Sequence, residues 1–573
     1  MTAGGDVLHG VSGTRSAEDT AWIDLMGRAG EAPGHSPVYR MRLAGPTPDG
    51  LRAWPKDLRP ANAAHGAELI SGRWRFGASY VETPEGHAPW GPPFPTLHFG
   101  DRVHRFDWIR DLAALGAEGE ARGRALAVSW TEEFGRWDNF GWRVGVTADR
   151  VINCLSAGPW LLASLERAAR EAVLESLFRQ VRHLQFSAAE DPDPGVRFRC
   201  GVALSLAGAA IEEGKAILEA GLALLEVECG RQILADGGHV SRSPQALAEA
   251  LIDIHTVEDL LLRQGLIAPV FLTRLQPRMA SMLGFFMLPG GQVPPLHGGG
   301  DGLPIATAAI APHGEVRSRF SFARLSGYQR VQAGDVTVYL DSSGAPPQPY
   351  SSRSHASGLS LTMDDGGECL ITACGSHREL EPHLREAGRR TAAHSVLCLE
   401  GQDSSVFSRD GSGSISIDGP PGLSVRRLEE DDQCLLEGQH SAWRDRYGVI
   451  YRRRLYVARS GDRITGEESL SRPMSEASVL GTQTIPYVVR FHLHPDVMVR
   501  SDIEAGHVYL GLPRRERVWR FRSETVVSVE PSMYWGRGAS ETALQLVIRG
   551  AAEPGGDGSK HPNRIRWSLT RVE

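Results

Sequence analysis

YSSRSHASGLSLTMDDGGECLITACGSHRELEPHLREAGRRTAAHSVLCLEGQDSS, residues Tyr350 to Ser405, sets two histidines at the head of two strand-like runs. His355 precedes Leu359 and Leu361, and His394 precedes Val396 and Cys398, with the alternation expected of a strand. A third run, Cys369 to Cys374, lies between them and is stopped by Gly375. Adjacent strands that bring two imidazoles and a thiol toward one place make a candidate site.

The same alternation continues on both sides of this stretch. Val336–Asp341, Arg454–Val457, Val489–Leu493, Val508–Leu510 and Leu544–Ile548 alternate or are rich in β-branched residues. Turns such as Ser460-Gly461-Asp462 separate them. The second half therefore reads as an antiparallel sandwich. Before it, Ala, Leu and Glu dominate, and apolar residues recur at three and four. One predicted helix carries Leu162, Leu165, Ala169, Val173, Leu177, Val181 and Leu184 on one face. A second runs from about Val202 to Gln232. A third spans Pro244 to Gln264, with Ser243 as N-cap, Pro244 in the first turn and Gly265 as the stop. A fourth covers Ala268 to Met287. Helices of this length joined by short loops form hairpins, and several in sequence form a bundle or a toroid.

The fold class is thus α+β and multidomain, and 573 residues exceed what one hydrophobic core serves. The expected domains are a loosely ordered lead-in over residues 1–60, a helical domain over 61–315 and a β-sandwich over 316–573. A net charge of −7 argues against a nucleic-acid binder. No apolar run is long enough to span a membrane. The first residues lack a basic start followed by an apolar core, so the chain as written reads as cytoplasmic; an upstream start would permit the periplasm or envelope. Seven scattered cysteines without CxxC pairs make neither a disulfide framework nor a zinc ribbon. Oligomeric state is not legible.

An aromatic, proline-punctuated segment from Ile70 to Leu112 holds Trp74, Trp90, Phe94, Phe99, Phe106 and Trp108. It suits either a sugar-stacking cleft or loops packed over the helical body. His492 and His494 share the strand face opposite Val489, Phe491 and Leu493, and read as solvated. The arginines Arg452–Arg454 and Arg514–Arg517 read as solvated edge charge.

The order of these segments resembles the heparinase II/III-like polysaccharide lyases. In the helical half the resemblance rests on TADRVINCL (Thr147–Leu155), ADGGHVSRSP (Ala235–Pro244) and LPGGQVPPLHGGGDG (Leu288–Gly302). In the β half it rests on SGYQRV, VYLDSSGAPP, RSHASGLSLTM, LITACGS and RTAAHSVLCLEGQDSS, followed by YGVIYRRRLYVARSGDRITGEESL and VRFHLHPDV. It implies an incomplete (α/α) toroid on an antiparallel β-sandwich, a catalytic cleft between them, and β-elimination on an acidic, uronate-containing glycan. Such chemistry removes the proton at C5 beside a carboxylate, so a group must neutralise that carboxylate while a Tyr or His takes the proton.

Carried onto this sequence, several of the implied positions differ. The neutralising Asn or His falls near Gly195-Val196, the catalytic Tyr at Ala246, and the catalytic His at Arg353. The metal-side pair matches His355 and His394, while the metal-side Asp falls at Ala373 beside Cys374. The resemblance therefore implies a structural divalent metal, zinc, on His355 and His394 with Cys374 as substitute third ligand; the alternative reading of the two is hydrogen-bonded strand histidines in the sandwich. The candidates at the reacting end are Arg353, His239 and Arg242, the last two otherwise a turn that caps the helix. The candidate substrate contacts are Trp137, Asn139, Arg150 and Tyr350, with Arg150 and Asn153 also readable as structural hydrogen-bonding residues at a helix start. His239 and Arg242 could hold a carboxylate at the following helix start, and an arginine cannot act as a base near neutral pH. The reading is a polysaccharide lyase binding an acidic polysaccharide or oligosaccharide. The alternatives are a non-cleaving glycan-binding member, and a toroid glycoside hydrolase built on Asp138 and Asp236.

Overall fold

The computed structural model describes residues 36–572, apart from 85, 301–302, 315, 317, 319, 410–414, 473–483, 503, 505 and 554–555. Residues 1–35 of the expected lead-in lie outside the described residues. Two compact units divide the chain. One comprises the described residues through Arg231 together with Leu251–Gln276; the other joins Gln232–Ala250 to the chain from Pro277 onward. This division cuts through helices; the change from helices to strands comes between Ala311–His313 and Phe322–Ala323.

The first unit is mainly a succession of helices, with one two-stranded hairpin, Arg73–Phe76 and Ser79–Glu82. Arg167–Ser187 buries Val173, Leu174, Leu177, Phe178, Val181 and Leu184 at helical spacing. It starts five residues later than its apolar face suggested, because Val144–Leu161 ends just before it. The single helix expected over Val202–Gln232 is two, Pro194–Ala210 and Lys215–Gln232. Small residues explain the break. A Cβ on Gly208 would lie 2.3 Å from the Leu218 nitrogen, and one on Gly221 would lie 2.3 Å from the Ser205 nitrogen. The two backbones pack in near contact, and a side chain at either glycine would force them apart. Trp74, Trp90, Phe99, Phe106 and Trp108 form the core of this unit beneath Ala117–Phe134, so these aromatics are structural.

In the second unit, one sheet orders its strands Val527–Tyr534, Glu541–Ala552, Ile485–Leu493, Glu368–Thr372, Leu361–Asp365, Val336–Asp341, Tyr328–Ala333 and Phe322–Ala323, with Leu397–Leu399 pairing Ile485–Leu493. The other runs Ser424–Glu429, Gln433–His440, Ile450–Ala458, Arg463–Ser471, Arg564–Val572, Arg517–Ser523, His507–Leu512 and Met498–Asp502. Both are antiparallel. Val338, Leu361, Ile371, Val489 and Phe491 of the first meet Leu436, Leu455, Ile464, Phe521 and Trp567 of the second in one core. Truncating Phe491 to alanine there costs about 3–5 kcal/mol. Arg453 is an exception to the solvated-edge expectation. It is fully buried, paired with Glu468 at 2.8 Å, and donates to the carbonyls of Leu359 and Ser395, both at 2.8 Å. One buried ion pair thereby ties together the two histidine segments.

Candidate functional site

The turn before Pro244–Arg263 begins the site. Asp236 accepts from the nitrogens of Gly238, Leu325 and Ser326, fixing the Asp-Gly-Gly bend. Gly237 has φ +92°, and a Cβ there would meet the Arg278 carbonyl at 2.2 Å. Arg242 follows with φ +64°. Its Nε donates to Ser326 O, Nη1 to Ser343 O and Gly344 O, and Nη2 to Gly327 O and the Asp341 carboxylate. Its guanidinium also lies over the Tyr328 ring, 4.8 Å from the centroid. Every donor is used and the side chain is buried. Arg242 therefore anchors the turn instead of reaching a ligand, which corrects its expected place at the reacting end.

Asp341 joins this anchor to the histidines. Its Oδ2 accepts from Ser357 Oγ at 2.6 Å and lies 3.3 Å from His297 Nε2. Burial would raise its pKa, but the Arg242 guanidinium, then His297 and Ser357, hold it below the usual carboxylate range. His297 Nδ1 accepts from the backbone N–H of His355 at 3.1 Å. His355 Nε2 accepts from the backbone N–H of Gly298 at 2.8 Å. Backbone N–H groups can only donate, so both tautomers are fixed. His355 must carry its proton on Nδ1 and give it to His394 Nε2 at 3.1 Å; His394 then donates from Nδ1 to Arg390 O at 2.8 Å. The three rings are neutral and their lone pairs are all taken. Their pKa values follow. Burial, then His394, His297 and Arg389, push His355 well below its ordinary value, and burial foremost lowers His394 to about 4.

This donor set does not fit the structural zinc that the resemblance implies. A tetrahedral zinc needs a third and fourth ligand beside two imidazoles. The position that would supply a carboxylate is Ala373, and Cys374 turns elsewhere, its Sγ 3.5 Å from His492 Nδ1 and 3.9 Å from Ser532 Oγ. Burial pushes the Cys374 thiol up to about 12, away from the thiolate a metal needs. Among the described residues no group of three or more His, Cys, Asp or Glu side chains is arranged to hold a metal. His492 and His494 are buried, not solvated: His492 Nε2 donates to Ala392 O at 2.9 Å and its Nδ1 accepts from Ser532 Oγ at 2.8 Å, while His494 packs edge-on against Tyr534.

Above the buried network lie His239 and Arg353. Arg353 is exposed at the end of the Tyr350–Arg353 turn, and a Cβ on Gly298 would sit 3.0 Å from its Cβ. His239 is half-buried, and its Nδ1 accepts from the Ser241 backbone N–H at 3.2 Å, which leaves the proton on Nε2. Burial lowers its pKa to about 4, with Arg353 acting in the same direction and Glu249 against it. Glu249 accepts from Gln245 Nε2 at 3.1 Å and lies 3.5 Å from Arg378 Nη1. Ala246, at the implied tyrosine position, offers no titratable group. Tyr328 is fully buried, with its pKa raised well above the ordinary value by desolvation, and donates to Arg242 O. Arg353 and the His239 Nε2–H supply hydrogen-bond donors here. Tyr350 is half-buried in the same turn as Arg353.

The remaining expected contacts lie in the first unit. Arg150 is fully buried without a carboxylate: it donates to Gln180 Oε1 and to the carbonyls of His104 and Gly141, and stacks 4.1 Å over Trp130. Burial lowers its pKa to about 9. It binds protein, not substrate. Trp137 is half-buried against Tyr39, Trp142 and His183, with its Nε1 donating to Asn139 Oδ1 at 3.1 Å. Asp138 accepts from the nitrogens of Phe140 and Gly141, so, like Asp236, it closes a turn and does not present a catalytic carboxylate.

The heparinase II/III-like C-terminal family model matches residues 315–568. FtsZ-localized protein C of Caulobacter vibrioides is 30% identical over 561 residues, covering 95% of each chain. The chain belongs to the heparinase II/III-like family. Within that family its fold also matches solved structures: a heparinase III at TM-score 0.67 and 13% identity, and the heparan sulfate lyase HepC of Pedobacter heparinus at TM-score 0.56 and 15% identity. Each match covers 97% of this chain and 91% of the other. At such identities the likeness is one of fold: an incomplete toroid followed by antiparallel sheets. Sequence reasoning found His355 and His394 but missed His297 and Asp341, which lie in the quoted stretches LPGGQVPPLHGGGDG and VYLDSSGAPP. A buried acid closing an apolar strand was the available signal for Asp341.

Proposed function

We propose that this heparinase II/III-like protein binds an acidic sugar without cleaving it. One observation carries the reading: the imidazoles of His239, His297, His355 and His394 each have the lone pair engaged by an N–H, so none of the four is poised to take a proton. Arg353 and the Nε2–H of His239 suit a carboxylate or sulfate, and none of these imidazoles is set to take the C5 proton that elimination removes. The test is incubation with heparin, heparan sulfate, hyaluronan and alginate. Saturable binding with no rise in unsaturated-uronate absorbance is expected. A rise in that absorbance on any of the four would establish the lyase reading instead.

The relative named for its localisation to FtsZ favours a second reading, that this chain works at FtsZ assemblies. A fluorescent fusion should concentrate with FtsZ at midcell, and the purified protein should co-sediment with FtsZ polymers. Diffuse fluorescence and no co-sedimentation would remove this reading.

A further inference from the structure

The outer face of the eight-stranded sheet carries arginines that its own acids do not neutralise. Register places Arg500 opposite Tyr509, Tyr509 opposite Arg520, Arg520 opposite Thr570, and Thr570 opposite Arg463. Arg522 stands two residues beyond Arg520 and so shares its face. The alternate residues Leu510, Trp519, Phe521 and Leu569 point into the core, which fixes these arginines on the outside. Arg454 and Arg566, on the same face, are matched by Glu437 and Glu467 at 2.5 to 3.2 Å. Arg463, Arg500, Arg520 and Arg522 have no ion pair or side-chain hydrogen bond among the described residues. The acid closest in register is Asp502, opposite His507 at the strand end.

Beside this row runs an apolar one. Met498 pairs with Gly511, Gly511 with Val518, and Val518 with Val572. Met498 is 61% exposed, Val518 38% and Val572 36%. A methionine and two valines left in water on a sheet face, next to unpaired guanidinium groups and a tyrosine, have the composition of an interface core.

The geometry points to a docking face for an acidic polypeptide segment that also carries aliphatic side chains. Charge complementarity selects the acid, since guanidinium groups pair bidentately with carboxylates. The aliphatic row selects a polypeptide over a glycan, because sugars stack on aromatic rings and would leave Met498 and Val518 uncovered. It also selects against a lipid surface, which would draw on deeper apolar side chains than two valines and a methionine.

The test uses the full chain and three fluorescent probes: a short peptide of alternating Glu and Leu, a heparin oligosaccharide, and phosphatidylglycerol vesicles. The peptide should bind, with affinity falling as salt rises. Arg500→Glu/Arg520→Glu/Arg522→Glu should weaken it by at least about tenfold, and Met498→Ser/Val518→Ser should weaken it while leaving its salt dependence in place. The corresponding lysine triple variant should retain most of the affinity, and unchanged thermal unfolding should accompany all three. No peptide binding by the wild type, or equal binding by the glutamate variant, overturns the proposal. So does arginine-dependent binding of heparin or of vesicles tighter than that of the peptide.

Discussion

His355 gives its Nδ1 proton to His394 Nε2 across 3.1 Å, in the place where the resemblance puts two ligands of one metal. The hydrogen bond does the joining that a metal would do. It needs no third ligand, and it also holds the backbone, since His355 Nε2 receives the Gly298 N–H.

Removing either imidazole should therefore be costly while removing metal should not. His355→Ala leaves the Gly298 N–H and His394 Nε2 buried without partners, at about 1–3 kcal/mol for each lost bond. Urea unfolding should show that loss for His355→Ala and a similar one for His394→Ala. Dialysis against EDTA should leave the wild-type midpoint where it was; a fall on chelation, restored by zinc, would contradict the donor assignment.

The pair Arg242 and Asp341 should be the most sensitive point of the anchor. Both are buried, and removing one partner leaves the other charge stranded, at about 3–5 kcal/mol. Arg242→Met should cost that much in equilibrium unfolding, and Asp341→Asn nearly as much, because the amide also disturbs Ser357 and His297. The double variant should recover part of the loss, as coupled neighbours do.

Much of this architecture was legible beforehand, for identifiable reasons. Pro244 to Gly265 carried its own start and stop signals, and the observed helix ends at Arg263. His355 and His394 were found because each heads a strand whose alternation survives in the sequence. His297 was missed because it sits among glycines and prolines, where no period points anywhere. His492 was misread because Ala392, Ser532 and Cys374 close over it, and alternation within its own strand carries no trace of them. Arg453 was misread for a related cause: composition marks arginine as exposed, and only Glu468, on the neighbouring strand, shows why it is not. The break near Gly214 depends on a backbone contact, and helical spacing on either side of it looks continuous.

Acid should destabilise the fold within a defined window. Burial, as the leading cause, lowers His394 and His183 to about 4 and His104, His440 and His492 to about 3, from an ordinary 6.5. Between about pH 6.5 and those values the unfolded chain binds protons that the native chain refuses, so stability is lost as pH falls. Asp364 works the other way: burial raises it to about 6, so its contribution is lost as pH rises from the ordinary 3.8 through that value. Five imidazoles outweigh one carboxyl. The urea midpoint should drop from pH 7 to pH 5, and His440→Phe, which removes one such group from the core, should flatten the slope.

Arg353 decides between holding a sugar and cutting one. Its guanidinium, exposed beside Gly298, can pair with a carboxylate or sulfate but cannot accept a proton near neutral pH. Arg353→Ala should weaken binding of an acidic oligosaccharide by about tenfold, corresponding to one charge-assisted contact. Arg353→His should weaken it less at pH 5.5 than at pH 7.5, since an exposed imidazole regains its charge below about 6.5. That variant should still release no unsaturated product, because Ala246 offers no second titratable group and His239 presents a proton, not a lone pair. Calorimetric titration at the two pH values, run beside ultraviolet absorbance, separates the effects. Product formation by Arg353→His alone would show that the surrounding groups remain competent for elimination and that a single residue holds them silent.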